Sequence, residues 1–147
     1  MPFQTKRMKQ FIFIYIILAA VLFSYAGKRK RTEDLPLLNT KWILIEISET
    51  RVNEKNNTAF IVFYDNYKFS GNFGCNYFFG EFTFRKKRIK IDYQGSTKSY
   101  CTSMELEEQF SKAIKNEITN YYIEKNKLYL LNKNKTVCKF EGLTLLN

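Results

Sequence analysis

Three cysteines carry the most distinctive side-chain chemistry of this 147-residue chain, and the absence of histidine limits what they can do. Without histidine the chain cannot build a Ser-His-Asp or Cys-His catalytic pair, or a zinc site that uses histidine. Cys75, Cys101 and Cys138 show no Cys-x-x-Cys spacing, so we expect no metal site and no cofactor. Cys138 alternates with Phe140 in an apolar strand pattern, which predicts a buried thiol.

Cys75 and Cys101 admit three interpretations. In an oxidising compartment they would form a disulfide, worth about 3 kcal/mol on the chain-entropy model. Alternatively, they are two buried thiols that pack as small apolar groups. A reactive thiol would need a lowered pKa, and Lys98 is the cation closest to them in sequence. The residues alone leave all three interpretations open.

A cluster of positive charge suggests a different kind of chemistry. The chain carries a net charge of +10, and its densest basic group in the folded part is Arg85, Lys86, Lys87, Arg88 and Lys90. These residues lie at a predicted hairpin tip, where they would be solvated. The alternative is an anion-binding surface for acidic lipid headgroups or polysaccharide, with nucleic acid a less favoured partner.

The N-terminal segment predicts export. Residues 1–26 combine a basic start, the uncharged run FIFIYIILAAVLF and the small-x-small pattern Ser24-Tyr25-Ala26, as in a secretory signal peptide. Because the apolar run over residues 11–27 is also near the minimum for a membrane span, a short uncleaved anchor in contact with the membrane is the alternative. Residues 27–36, which include the run KRKR, form a basic linker. We therefore expect an exported protein of the cell envelope, in the periplasm or on the outer face of the membrane.

The folded part is dominated by predicted strands. The chain is 17% aromatic, which favours β-structure, and apolar or alternating runs occur at 40–47, 59–64, 67–73, 80–84, 88–93, 121–123, 127–131 and 136–141. Residues 51–58, in contrast, are polar and predict a loop. A single amphipathic helix is predicted after Thr102, with Thr102 and Glu105 as a capping box and Phe110 on its apolar face. The fold class is thus α+β and mostly antiparallel β, a curved sheet or partly open barrel-like domain closed by one helix.

The segment Ser70–Gly80 is rich in glycine between aromatic residues, which implies positive φ angles or close backbone approach. Several short motifs surround it in a fixed order. They are Leu38-x-x-x-Trp42, Gly74-Cys75-Asn76 with Gly80, Ser96-Thr97, Cys101, Glu107-x-x-Phe110 and Asn126-x-Leu128-x-Leu130. In this order they resemble the signature of the META/HslJ-like domain family, and the resemblance spans about residues 37–141.

The resemblance implies a compact β-rich domain over residues 37–147, commonly located in the cell envelope and linked to stress tolerance. It brings no catalytic activity. The positions that match the family signature, and to which no catalytic role attaches, are Gly74, Cys75, Asn76, Gly80, Thr97, Cys101 and Glu107.

These observations favour a non-enzymatic envelope domain with a stress-related binding or structural role. One alternative is a basic surface that binds anionic lipid or polysaccharide through Arg85–Lys90. A second is a thiol-active protein that uses Cys75 and Cys101, although no nucleophile-base pair accompanies them. The expected partner is an anionic envelope component or another envelope protein.

Overall fold

The computed structural model describes residues 33–53, 58–101 and 104–144. The predicted signal peptide or anchor, residues 1–26, lies outside the described residues. Over the described ranges the chain forms nine strands and one helix, in the following order. They are β1 (Thr40–Ile47), β2 (Thr50–Arg51), β3 (Phe60–Phe63), β4 (Lys68–Asn72), β5 (Tyr77–Arg85), β6 (Arg88–Ser96), α1 (Glu105–Asn116), β7 (Asn120–Glu124), β8 (Lys127–Asn132) and β9 (Lys135–Thr144).

The strands form one antiparallel sheet in the order β2-β1-β3-β4-β5-β6-β7-β8-β9. Because β9 also pairs with β1, from Thr40 opposite Thr144 to Ile47 opposite Cys138, the sheet returns on itself as a ring-like curved sheet. The helix packs against the core residues on the inside of this curve. The predicted fold class, mostly antiparallel β with one helix in the described part of the chain, is confirmed.

The core follows from the period-2 pattern of the strands. In β5, Phe78, Gly80 and Phe82 point inward and are buried, while Tyr77 and Phe79 point outward and are exposed. The inward aromatic rings contact one another and the helix. The largest fully buried side chains include Trp42, Phe63, Phe69, Phe73, Phe78, Phe82, Phe110 and Phe140.

Some predicted boundaries are wrong. β5 begins at Tyr77, three residues before the predicted start, because its pairing with β4 continues through Tyr77, Phe78 and Phe79. The predicted loop at 51–58 is wrong at its start, since Arg51 belongs to the short strand β2, which pairs with the end of β1.

The predicted capping box is also wrong. The helix begins at Glu105, and its N-cap residue, Met104, makes no side-chain capping hydrogen bond. Glu105 is therefore the first helical residue, too early in the helix to reach back to the cap. The third helical residue is Glu107, and its carboxylate binds elsewhere in the molecule. Thr102, the predicted N-cap, lies outside the described residues.

Two signature glycines meet different backbone requirements. Gly74 has a φ of +118°, a conformation that residues with a side chain rarely adopt. Gly80 instead allows close packing: a Cβ atom there would collide with the Asp92 carbonyl oxygen and lie 2.7 Å from Cζ of Phe69. The close approach of β6 and of the Phe69 ring to Gly80 therefore needs a residue without a side chain.

We expect Gly80→Ala to lower the free energy of unfolding by about 2–3 kcal/mol, because the clash is with backbone and cannot be relieved by a rotamer change. Gly95→Ala is the matched control on the neighbouring strand. The atoms nearest to its Cβ would belong to the Phe79 ring, starting at 3.2 Å, and Phe79 is an exposed side chain. Urea unfolding of both variants tests this. Equal losses of stability in the two variants would show that the close backbone approach at Gly80 does not determine the cost of adding a side chain there.

Candidate functional site

Asn76 lies at the centre of the Gly74-Cys75-Asn76 motif segment and is buried, with 2% of its surface exposed. Its Oδ1 accepts hydrogen bonds from the Thr97 hydroxyl at 2.8 Å and from the Ser99 backbone N–H at 2.7 Å. Its Nδ2 donates to the Ser99 carbonyl oxygen at 3.0 Å. Asn76 therefore fixes the chain that leaves β6 against the turn that enters β5.

The carboxylate of Glu107 completes this cluster from the helix. It accepts from Nδ2 of Asn76 at 2.8 Å and from the Asn76 backbone N–H at 2.8 Å, so both of its oxygens are engaged. Glu107 is half-buried, in the first turn of α1. Its negative charge there also suits the positive N-terminal end of the helix dipole.

A disulfide joins Cys75 to Cys101 beside this cluster, with their Cα atoms 6.2 Å apart. Gly74 and Asn72 shape the turn that presents Cys75, since the Gly74 N–H donates to Oδ1 of Asn72 at 2.7 Å. Of the predicted motif residues, the structure thus brings together Gly74, Cys75, Asn76, Thr97, Cys101 and Glu107, whereas Gly80 lies apart within β5.

The cluster acts as a structural clamp. The motif residues hold three segments together: the β4–β5 turn, the chain between β6 and α1, and the start of α1. The polar atoms of Asn76 are all satisfied by protein groups, so none is left to bind or activate a substrate. Ser99 takes part through its backbone N–H and carbonyl oxygen, so its side-chain type gives no signal for this contact.

The third cysteine offers no reactive thiolate. Cys138 is fully buried and is not in a disulfide, as the strand pattern predicted. Burial, together with the negative charge of Glu117, raises the pKa of its thiol well above the ordinary range. A protonated, enclosed thiol is a poor nucleophile. Among the described residues, no group of three histidine, cysteine or acidic side chains could hold a metal ion.

The basic residues of the β5–β6 hairpin line an open groove of about 460 Å³. Arg85, Arg88 and Lys90 form one wall, and the end of α1 with the segment before β7, including Lys115 and Thr119, forms the other. Lys86 and Lys87 lie at the turn itself, where Lys86 has a φ of 55°. The groove therefore gathers four positive side chains along one opening.

The groove exists because β6 and β7 barely meet. Their register includes a single pair, Arg88 with Asn120, supported by hydrogen bonds from the Ile89 N–H to the Thr119 carbonyl oxygen at 3.1 Å and from the Tyr121 N–H to the Lys87 carbonyl oxygen at 2.9 Å. The end of α1 lies across the opening. Sequence reasoning found the hairpin charges but missed Lys115, because nothing local places a helix end beside a hairpin tip.

The fold and the clamp define a small β-rich module with one helix. Its family follows from comparison with known proteins: the META domain model matches residues 35–143. The chain belongs to the META domain family, as its motifs had indicated.

A protein structure solved by NMR matches 74% of this chain and 93% of its own length, with a TM-score of 0.57 and 22% sequence identity. At that identity the match shows a shared fold. No curated protein matches the chain.

Two further observations concern the N-terminal side of the domain. Asp34 and Leu35, at the end of the predicted linker, contact the β7–β8 turn, since the Leu35 N–H donates to the Lys125 carbonyl oxygen at 2.8 Å and Oδ1 of Asp34 accepts from the Lys125 N–H at 2.5 Å. Within the described ranges, no helix has the length and apolar character needed to cross a bilayer.

Proposed function

We propose that this chain is a non-enzymatic META-domain module of the cell envelope that binds an anionic partner in the basic groove between β6 and the end of α1. The resemblance to META/HslJ-like proteins adds a stress-related context to this proposal. In this proposal the clamp stabilises the domain, and the groove binds the partner. The thiol-active alternative is less well supported, because both sulfurs of the candidate pair are bonded to each other.

The convergence of Arg85, Arg88, Lys90 and Lys115 on one groove carries the proposal. The three hairpin residues are exposed and form no ion pair with an acidic side chain in the described part of the chain. Unpaired positive charges along a concave surface focus the electrostatic field and attract anions. Glu117 is the acidic residue that lines the groove, and its carboxylate already lies 3.8 Å from Nζ of Lys112.

An apolar component accompanies the charge. Half-buried Ile91 and Phe84, which has 38% of its surface exposed, contribute apolar surface to the lining of the groove. A groove that is basic at its edges and apolar within suits an amphipathic anionic partner better than a small inorganic anion.

We expect the double variant Arg88→Gln/Lys90→Gln to bind anionic partners about tenfold more weakly than the native protein, equivalent to about 1.4 kcal/mol. The physical reason is the loss of two positive charges from one wall of the groove. The measurement is titration with vesicles that contain phosphatidylglycerol, and with dextran sulfate, at several salt concentrations. Binding should also become less dependent on salt, because fewer charges are screened.

The matched control is Lys68→Gln/Lys125→Gln, which removes the same net charge from two exposed lysines outside the groove. An equal loss of binding in both variants would show that net charge, and not the groove, attracts the anion. No binding by the native protein to either probe would overturn the proposed function.

A further inference from the structure

β6 has one paired edge and one edge that is largely open. Its paired edge runs along β5 from Arg88 opposite Arg85 to Ser96 opposite Phe78. On the other side, the register with β7 is limited to Arg88, and the chain before β7 leads directly back to the helix. The strand therefore continues past the groove without a neighbouring strand on that side.

The direction of the backbone groups along this edge follows from the hydrogen-bond pattern. The Phe82 N–H donates to the Tyr67 carbonyl oxygen, toward β4, so in β5 the residues on either side of Phe82 face β6. Their partners, Lys90 and Asp92, must turn their own backbone groups toward β5. Ile91 and Tyr93, which alternate with them, therefore turn theirs toward the open edge.

The hydrogen bond from the Ile89 N–H to the Thr119 carbonyl oxygen confirms this alternation, since Ile89, Ile91 and Tyr93 are alternate residues of one strand and turn their backbone groups to the same side. Beyond Ile89, no strand in the described part of the chain supplies the next partners. Unpaired N–H and C=O groups on an exposed strand are the template on which an extended peptide adds as a further strand.

The side chains at this edge determine which peptide fits. Arg88 and Lys90 project from the outer face of β6, and Lys115 stands on the helix side, with its ammonium 4.6 Å from the centre of the Tyr93 ring. A strand added here would place its side chains among three positive charges and one negative charge, that of Asp92. It would be stabilised by carboxylates and destabilised by lysine or arginine.

The same charges argue against two occupants from this protein itself. Pairing of β6 with β6 of a second copy would place side by side two strands that each carry Arg88 and Lys90. The linker run Lys28–Arg31 is positively charged and would be repelled in the same way.

We propose that the open edge of β6, at Ile91 and Tyr93, binds an extended acidic segment of another polypeptide by β-strand addition. This inference rests on the proposed function and names its partner: an acidic peptide segment that uses the groove for its side chains and the strand edge for its backbone.

The test uses a short peptide of alternating glutamate and valine, together with the same peptide N-methylated at every amide, which keeps the charge but cannot donate backbone hydrogen bonds. The unmethylated peptide should bind and slow hydrogen exchange of the Ile91 and Tyr93 amides at least tenfold. The methylated peptide should bind at least tenfold more weakly. Arg88→Gln/Lys90→Gln should weaken binding of the unmethylated peptide.

The outcomes separate the two proposals. If both peptides bind equally and the Ile91 and Tyr93 amides exchange as before, the groove attracts acids by charge alone. Strand addition is then overturned while the proposed function stands. The same holds if anionic vesicles bind and the peptide does not, in which case the basic residues only guard the edge against pairing. If neither vesicles nor peptide bind, both proposals fail.

Discussion

Replacing Asn76 by alanine is expected to lower the free energy of unfolding by about 3–4 kcal/mol. The substitution removes a buried amide that binds Thr97, Ser99 and Glu107 at once. It leaves the Ser99 backbone groups and a half-buried carboxylate without these partners, and unsatisfied buried polar groups are the costly consequence of losing a hydrogen bond. Urea unfolding followed by circular dichroism measures the change.

The chain provides a matched control for this experiment. Asn126 also donates from Nδ2 to a glutamate, Glu141, at 3.0 Å, but the pair is exposed. Asn126→Ala should therefore cost less than about 1 kcal/mol, since water replaces the lost partner. Similar costs for the two variants would mean that Asn76 does not act as a buried clamp.

Asn76→Asp tests the donor role of the same side chain. The aspartate keeps the shape and the acceptor but places a second carboxylate against Glu107. We expect it to be as damaging as alanine at neutral pH, with part of the stability recovered on mild acidification, when a proton shared between the two carboxylates restores a donor.

The second large effect concerns the disulfide. The double variant Cys75→Ser/Cys101→Ser should lose about 3 kcal/mol, because the disulfide closes a loop with a sequence separation of 26. Combined with Asn76→Ala, the double cysteine variant should lose more stability than either change alone, since both changes release the same turn from the chain that leads to the helix. Denaturant unfolding of the oxidised protein and the variant provides the comparison.

Thiol labelling and intact mass give an independent measurement on the natively expressed protein. The folded protein should resist alkylation, since Cys138 is buried and the other two cysteines are bonded. Unfolding without reductant should expose one thiol, and unfolding with reductant three. If the envelope location in our proposal is right, the mass should also correspond to a chain that begins at Gly27. Three thiols that label in the unfolded, unreduced protein would contradict the disulfide.

The fold could be predicted from sequence to the extent that its signals are local. Alternation such as that of Ile89 and Lys90 in β6 marks a half-exposed strand, and the apolar spacing around Phe110 marks the helix α1. Local sequence signals did not predict the features that depend on tertiary contacts. The predicted strand start at Gly80 is wrong because a glycine inside a strand, required by close backbone approach, has no distinct sequence pattern.

The sites show the same difference between features that local sequence encodes and features that depend on tertiary contacts. The motif identified the clamp residues but not their geometry, because Asn76 and Glu107 are 31 residues apart and meet only when the helix lies against β5. The capping box failed for a related reason. Several acidic residues begin the helix, and only the position of the Asn76 amide selects Glu107 as the one that binds. The groove needs the helix end and the hairpin tip together, which no local pattern predicts.

The closing pair of the sheet has a consequence for the order of folding. Most strands pair with a neighbour in the chain, so hairpins such as β5–β6 can form as soon as they are synthesised. The seam between β1 and β9, however, joins Thr40 to Thr144, nearly the two ends of the domain. Pairing β1 with β9 requires closing a long loop, and this entropic cost arises before the pairing contributes stability. We therefore expect the ring to close late, after the last strand has left the ribosome. Until then the nascent chain has no closed ring, and the two strands at the seam each keep an unpaired edge.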